Sequence, residues 1–203
     1  MLTAANGVRV LTDPCDPSVG YPLKNIETDA ITVSHSHHDH SYTEAALGSP
    51  AVFSAEGEYS LPGISIKAFS AWHDEKQGTL RGPNLLFRFE ADGLTAVHLG
   101  DLGHIPNEET VSAIGKTDIL MIPIGGVYTI DAASARRVIE AMHPGVVIPM
   151  HYKTKACTIG IDGIDAFLSE MKDFSVHKLS ENEISLSVSS IGENRILIPD
   201  YVR

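Results

Sequence analysis

Residues 31–46 read ITVSHSHHDHSYTEAA, and the six positions from His35 to His40 hold four of the ten histidines of the chain and one aspartate. Side chains two positions apart on an extended segment share a face, so His35 and His37 can address one point. Asp39 and His40 lie further round the turn and can address a second point nearby. The loop therefore predicts a site for two metal ions. The competing interpretation is a histidine-rich polar surface loop.

Three further candidate ligands each follow directly on an apolar run, and they are His73, Asp101 and His151. The ends of strands in a packed sheet commonly build binding sites. A single histidine in such a place is more often a surface or core residue. Three such positions, taken together with the cluster at 35–40, favour one shared site.

Apolar, β-branched runs that end in turn residues predict strands over 8–12, 30–33, 51–54, 64–70, 84–90, 94–100, 118–124 and 145–150, with short strands within 174–179, 183–188 and 195–200. The Asp-Gly pair at 92–93 predicts a hairpin. Asn107 and Asp131 are candidate caps for two of the predicted helices, which lie within 41–48, 107–116, 129–145 and 163–174. This order predicts one α/β domain over 1–203, with sheets inside and helices outside.

The composition excludes some classes of partner. The chain has a formal net charge of -11 and no cluster of lysine and arginine, whereas nucleic-acid binding normally needs a basic face. A small-molecule substrate, even an anionic one, stays possible, because the charge of a local site with bound metal can oppose the overall field.

The two cysteines, Cys15 and Cys157, make no disulfide framework and no CxxC motif. The first residues lack the pattern of a signal peptide. No apolar run approaches the roughly 18 residues that a membrane-spanning helix needs. These features predict a cytoplasmic protein without a membrane partner.

The pattern His35-x-His37-x-Asp39-His40, followed in order by the three strand-end ligands, resembles the metallo-β-lactamase-fold hydrolases. The stretches RGPNLLFRFEADGLTAVHLGDLG (81–103) and PIGGVYTIDAASA (123–135) are similar to a general prokaryotic branch related to ascorbate-phosphate lactonases. The resemblance covers nearly the whole chain. It implies a four-layer αββα sandwich with two mixed β-sheets and a metal cleft at one edge.

The resemblance also implies roles for seven residues. One ion would be held by His35, His37 and His73, a second by Asp39, His40 and His151, with Asp101 bridging the two. Asp39 or Asp101 would help to orient the attacking water. Imidazoles and carboxylates suit Zn²⁺, with Mn²⁺ as the alternative. No GxSxG motif offers a serine nucleophile instead.

Two glycine- and proline-containing loops have two interpretations. They can be simple turns, or Arg81 can hold an anionic group while Gly125, Gly126 and Tyr128 line a pocket rim.

Other polar residues can support the site or lie in solvent. Asp13 resembles a position that supports the metal loop through hydrogen bonds. Asp74 can hold a ligand imidazole or be solvated, and Lys153 is expected to be a solvated charge. His38 is expected to point outward, and His98 to lie in its strand as a core residue or as a support for the ligands.

Two departures from the family pattern affect the prediction. Only MLTAANG precedes the strand at 8–12, so the first strand of the family is expected to be short or missing, and a bare sheet edge invites homo-oligomers. The insertion that marks the nucleases of the superfamily is missing as well, which argues against RNA processing.

The predicted function is hydrolysis of a small metabolite ester, lactone or phosphoester by a metal-activated hydroxide. One alternative is a non-enzymatic or inactive metal-binding scaffold of the same fold. A di-iron redox protein is the other, although such proteins carry a carboxylate where this chain has His37.

Overall fold

The computed structural model describes residues 1–192 and 194–201, and its strands form two mixed sheets. The smaller sheet has the order β1-β2-β3-β4, with strands Leu2–Thr3, Arg9–Thr12, Ala30–Thr32 and Ala51–Phe53. Strand β1 pairs antiparallel with β2, and the other pairs are parallel. At two residues, β1 is the short first strand at one edge of this sheet.

The larger sheet has the order β11-β12-β10-β9-β8-β7-β6-β5. Its strands are Gly57–Leu61 (β5), Ile64–Trp72 (β6), Pro83–Ala91 (β7), Leu94–His98 (β8), Ile119–Pro123 (β9), Val146–Met150 (β10), Ser175–Lys178 (β11) and Arg195–Ile198 (β12). Strands β5 to β8 pair antiparallel. From β8 to β11 the pairing is parallel. The predicted Asp-Gly hairpin joins β7 to β8, with both turn residues at positive φ.

Alternating side chains of the larger sheet face the smaller one. Ile64, Ile66, Phe87 and Phe89 are buried there, together with Val10 of β2. This apolar layer between the sheets holds the two strand systems in fixed register, and the ends of their strands therefore meet at one edge.

Three α-helices are described, and they are Glu108–Ile114 (α1), Ala132–Met142 (α2) and Asp165–Glu170 (α3). Asn107 and Asp131 cap the first two, as predicted, because each side chain accepts a hydrogen bond from the third N–H that follows. Val138 and Ile139 of α2 pack on the larger sheet. At 11 residues, α2 is the longest helix of the described residues, so none of them could traverse a bilayer.

Two local predictions are wrong. The predicted helix at 41–48 is only a 3₁₀ turn over Thr43–Ala45. Ser41 does not cap it, because its hydroxyl donates to the carbonyl of His37 at 2.9 Å and so holds the histidine loop. The predicted strand at 183–188 does not form, and the partly exposed chain continues into the 3₁₀ turn Val188–Ser190. Ile26 and Ala46, which lie outside the helices and strands, pack against Leu11, Ile31 and Val33 of the smaller sheet and its following loop.

Candidate metal centre

All seven predicted ligands lie at the carboxyl ends of strands along one edge of the sandwich. The loop from His35 to His40 follows β3, His73 follows β6, Asp101 lies just beyond β8, and His151 follows β10. Strands β6, β8 and β10 run in the same direction, so their carboxyl ends open at the same edge.

The structure brings these residues into two clusters. Within each cluster, the candidate ligand atoms lie within 4.8 Å of one another. The first consists of His35, His37 and His73, and the second of Asp39, His40, Asp101 and His151. His37 is exposed while the first-cluster histidines beside it are buried, so the centre opens to solvent on the side of His37.

The carboxylate of Asp101 lies between the clusters and is 1% exposed. Its Oδ2 is 3.2 Å from His73 Nε2 and 3.3 Å from His151 Nε2, while Oδ1 is 3.1 Å from His40 Nε2. His35 Nε2 lies 3.8 Å from Oδ2. One buried carboxylate therefore faces nitrogen atoms of both clusters.

One of these buried atoms, His35 Nε2, has no hydrogen-bond partner among the described residues. A buried polar atom without a partner costs about 1–3 kcal/mol. Imidazole nitrogens and carboxylate oxygens are ligands for Zn²⁺ and related ions. The residues present therefore fit the metal that the sequence motif implies.

Asp13 could be taken as part of a third cluster with His35 and His40, but its oxygens are already engaged. Oδ1 accepts the N–H of Ser34 at 2.7 Å. Oδ2 accepts the Ser34 hydroxyl and lies 2.9 Å from Nδ1 of His40. Asp13 thus orients His40 so that Nε2 faces Asp101, the supporting arrangement that the sequence suggests for it.

Two neighbouring histidines have opposite pKa shifts in the metal-free protein. Burial alone would lower the pKa of His40, but Asp101, Asp13 and Asp39 together raise it to about 9. For His35, burial and the nearby charge of His40 lower the pKa to about 4. The metal-free centre therefore keeps one proton on His40 at neutral pH.

The backbone around the centre is held by close contacts. His151 has φ of 50°, in the left-handed region that a non-glycine residue rarely adopts. A Cβ on Gly125 would overlap the carbonyl oxygen of His151, and a Cβ on Gly103 would overlap the backbone of His73. Glycine at these two positions lets neighbouring loops approach the ligand backbones.

Asp74 fits neither interpretation offered by the sequence. It is buried, and it accepts the backbone N–H groups of Lys76, Gly78, Leu80 and Arg81 at 2.7 to 3.0 Å. The side chain therefore shapes the loop after His73 and does not contact the imidazole.

Lys153 is exposed, as expected, but its side chain is also hydrogen-bonded. Its Nζ donates to the carbonyls of Cys157 and Ile159, at 2.6 and 2.7 Å, and so closes the loop after His151. His38 does point outward, with an exposed side chain, and His98 is buried.

The predicted rim residues lie on two neighbouring loops. Arg81 Nη2 donates to the carbonyl of Val127 at 2.9 Å, and the guanidinium lies 5.6 Å from the ring centre of Tyr128. Gly125 and Gly126 directly precede Val127 and Tyr128 in the second of these loops.

An open cavity of about 480 Å³ lies beside the histidine loop. None of the predicted rim residues lines it. Its walls come from Val33, Ser34, His35, Ser36, Ser41, Thr43, Val52, Ser54, Pro83 and Leu85, and they carry hydroxyl and apolar groups but no carboxylate or basic side chain apart from the imidazole of His35.

Comparison with known proteins places the chain in a family. The Beta-lactamase superfamily domain matches residues 1–151. A crystal structure from Thermotoga maritima, of a proposed Zn-dependent hydrolase of the metallo-β-lactamase superfamily, is 33% identical, with a TM-score of 0.76, over 94% of this chain and 89% of that one. The chain belongs to the metallo-β-lactamase superfamily.

Two relatives named UPF0173 metal-dependent hydrolase are each 29% identical to the chain. One, of Thermoplasma acidophilum, aligns with 71% of this chain and 76% of its own length. The other, of Carboxydothermus hydrogenoformans, aligns with 75% and 80%. The predicted family and fold class are confirmed, and so, at the level of the family, is the prediction of a metal-dependent hydrolase.

We expect Gly103→Ala to destabilise the protein by about 1–3 kcal/mol, because the added methyl group overlaps the backbone of His73. Gly163→Ala is the matched control, since a Cβ there meets nothing within 4 Å. Urea unfolding of both variants measures the difference. Equal stabilities of the two variants would contradict the steric argument.

Proposed function

We propose that the protein hydrolyses a small ester, lactone or phosphoester with two metal ions bound in this centre. The observation that carries the proposal is the position of Asp101, whose two oxygens face histidines of both clusters at 3.1 to 3.3 Å. One ion would be held by His35, His37 and His73, and the other by Asp39, His40 and His151, with Asp101 shared.

Zinc is the first choice for these ions, because five imidazoles dominate the donor set. The two carboxylates, Asp39 and Asp101, make manganese the alternative. When bound, such ions lower the pKa of water and polarise the oxygen of the bond under attack.

The two carboxylates have different tasks in this proposal. Asp101 is buried and surrounded by imidazoles, so it fixes the geometry of the ligands. The side chain of Asp39 is 16% exposed and lies 3.7 Å from His40 Nε2, on the accessible side of the centre. It is the better placed of the two to orient the attacking water by accepting its hydrogen bond.

We propose an anionic group on the substrate, held by Arg81. Its Nη2 donates to the carbonyl of Val127, and the guanidinium makes no other hydrogen bond to a described residue. The guanidinium lies 5.6 Å from the ring centre of Tyr128, at the end of the loop that follows His73. Gly125 and Gly126 would form the rim beside it.

The expectations about partners and location are part of the proposal. The net charge of -11 supports a small-molecule substrate and argues against nucleic acid and an anionic membrane surface. The thiols of Cys15 and Cys157 are both free, which suits the reducing cytoplasm. Homo-oligomers could form through the short edge strand β1.

Metal analysis of protein purified without chelator or histidine tag tests the proposal. We expect about two zinc or manganese ions per chain. His37→Ala should reduce this number and Asp101→Ala should reduce it further, because Asp101 is shared. His38→Ala is the control in the same loop, and its exposed side chain predicts unchanged metal content.

The same preparations separate the alternatives. If the wild-type protein takes up neither zinc nor manganese, the proposal of a metal-dependent hydrolase is refuted. Bound metal without turnover of any generic lactone, ester or phosphodiester would favour the scaffold, and a coloured protein with bound iron would favour the redox alternative.

We expect Zn²⁺ binding at pH 7.5 to release a proton from His40, whose pKa of about 9 keeps it protonated in the metal-free protein. The apparent affinity for Zn²⁺ should therefore rise with pH up to about 9, because below that value the proton on His40 competes with Zn²⁺. Calorimetric titration in buffers of different ionisation enthalpy measures the protons released.

The variant Asp13→Asn distinguishes a proton released from His40 from a proton released by metal-bound water. The variant removes one carboxylate that raises the pKa of His40, so fewer protons should be released at pH 7.5. The same number in both proteins would contradict the assignment to His40.

We expect Arg81→Gln to weaken binding of anionic substrates more than that of uncharged ones. The ratio of KM for an anionic phosphodiester to KM for an uncharged ester should rise by about tenfold, the loss of one charge-assisted hydrogen bond. Steady-state kinetics on both substrates provide the ratio. An unchanged ratio would show that Arg81 only ties the two loops together.

A further inference from the structure

Asn84 is the second residue of β7, and its side chain is fully buried. Its Nδ2 donates to the carbonyl of Leu99 at 2.9 Å, and its Oδ1 accepts the N–H of Asp101 at 2.9 Å. Because one partner is an acceptor and the other a donor, these bonds fix the orientation of the amide. Asn84 thus holds the chain on both sides of Gly100.

The contact around Gly100 is close. Gly100 has φ of 52°, and a Cβ there would overlap Asn84 Oδ1 and lie 2.6 Å from Ser34 Cβ. The next residue of β7, Leu85, donates its N–H to the carbonyl of Ser34 at 2.9 Å. The start of β7 therefore touches both the segment that carries Asp101 and the residue that precedes His35.

We infer that Asn84 is a positioning residue for the metal centre, acting through Asp101. The inference rests on the proposed role of Asp101 as the shared ligand. The carboxylate of Asp101 has histidine nitrogens on several sides, so a small rotation of its backbone would move both oxygens out of place. Asn84 is bonded to the backbone N–H of Asp101 itself, and it does not line the cavity beside the histidine loop.

A purely structural role for Asn84 makes a different prediction, and Asp118 supplies the comparison. Asp118 is also buried, and its Oδ2 accepts the N–H of Thr95 at 2.9 Å. This bond ties the beginning of β8, whereas Asn84 ties the segment beyond its end. Asp118→Ala therefore removes a link at the other end of β8 from the ligands, together with the ion pair to Lys116.

Zn²⁺ affinity, measured by competition with a chromophoric chelator on the full chain, distinguishes the two roles. We expect Asn84→Ala to lose about 10- to 100-fold in affinity, the range seen when a group supporting a metal ligand is removed. Asp118→Ala should bind Zn²⁺ as the wild type does, even if both variants lose similar stability in urea. The visible spectrum of bound Co²⁺ should change in Asn84→Ala alone.

Conservative variants complete the test. Asn84→Asp keeps an acceptor for the Asp101 N–H but loses the bond to Leu99, so it should recover part of the affinity. If Asn84→Ala does not fold, Asn84→Ser replaces it with the same expectation.

Wild-type affinity and an unchanged Co²⁺ spectrum in the Ala or Ser variant would overturn the inference while leaving the metal centre intact. Wild-type protein that binds neither ion would instead refute the proposed function on which the inference rests.

Discussion

The buried negative charge of Asp101 is the constraint on which the candidate site depends. Burial disfavours an ionised carboxylate, but His40, His151 and His73 surround it and hold its pKa well below the usual range. Removing one partner from such a group leaves an uncompensated charge in the interior. The strands that precede Asp101 and the three histidines must therefore end close together at the same edge of the sandwich.

The loops around this charge are fixed by polar side chains that are not themselves ligand candidates. Asp13 orients His40, and Asn84 holds the backbone of Asp101. Asp74 and Lys153 close the loops after His73 and His151. In each case a polar side chain is hydrogen-bonded to backbone groups of an irregular segment. This support gives the ligand loops defined positions without regular secondary structure.

The prediction of the fold succeeded where local signals and tertiary packing agree. Apolar runs identified the central strands, and Asp92-Gly93 identified the hairpin. The prediction failed at 41–48, where Ser41 is bonded to the histidine loop and does not cap a helix. It also missed β5, whose partly exposed residues form a strand only because β6 is beside them.

The sequence by itself determined which residue types the site contains, because the order of histidines and aspartates is a local pattern within and after strands. Alternating apolar residues also mark the buried face of β6. Only the tertiary structure decided that Asp101 faces both histidine clusters and that Asn84 is bonded to its backbone. The physical reason is that hydrogen bonds between residues distant in the chain depend on sheet order and register, and no single segment encodes these.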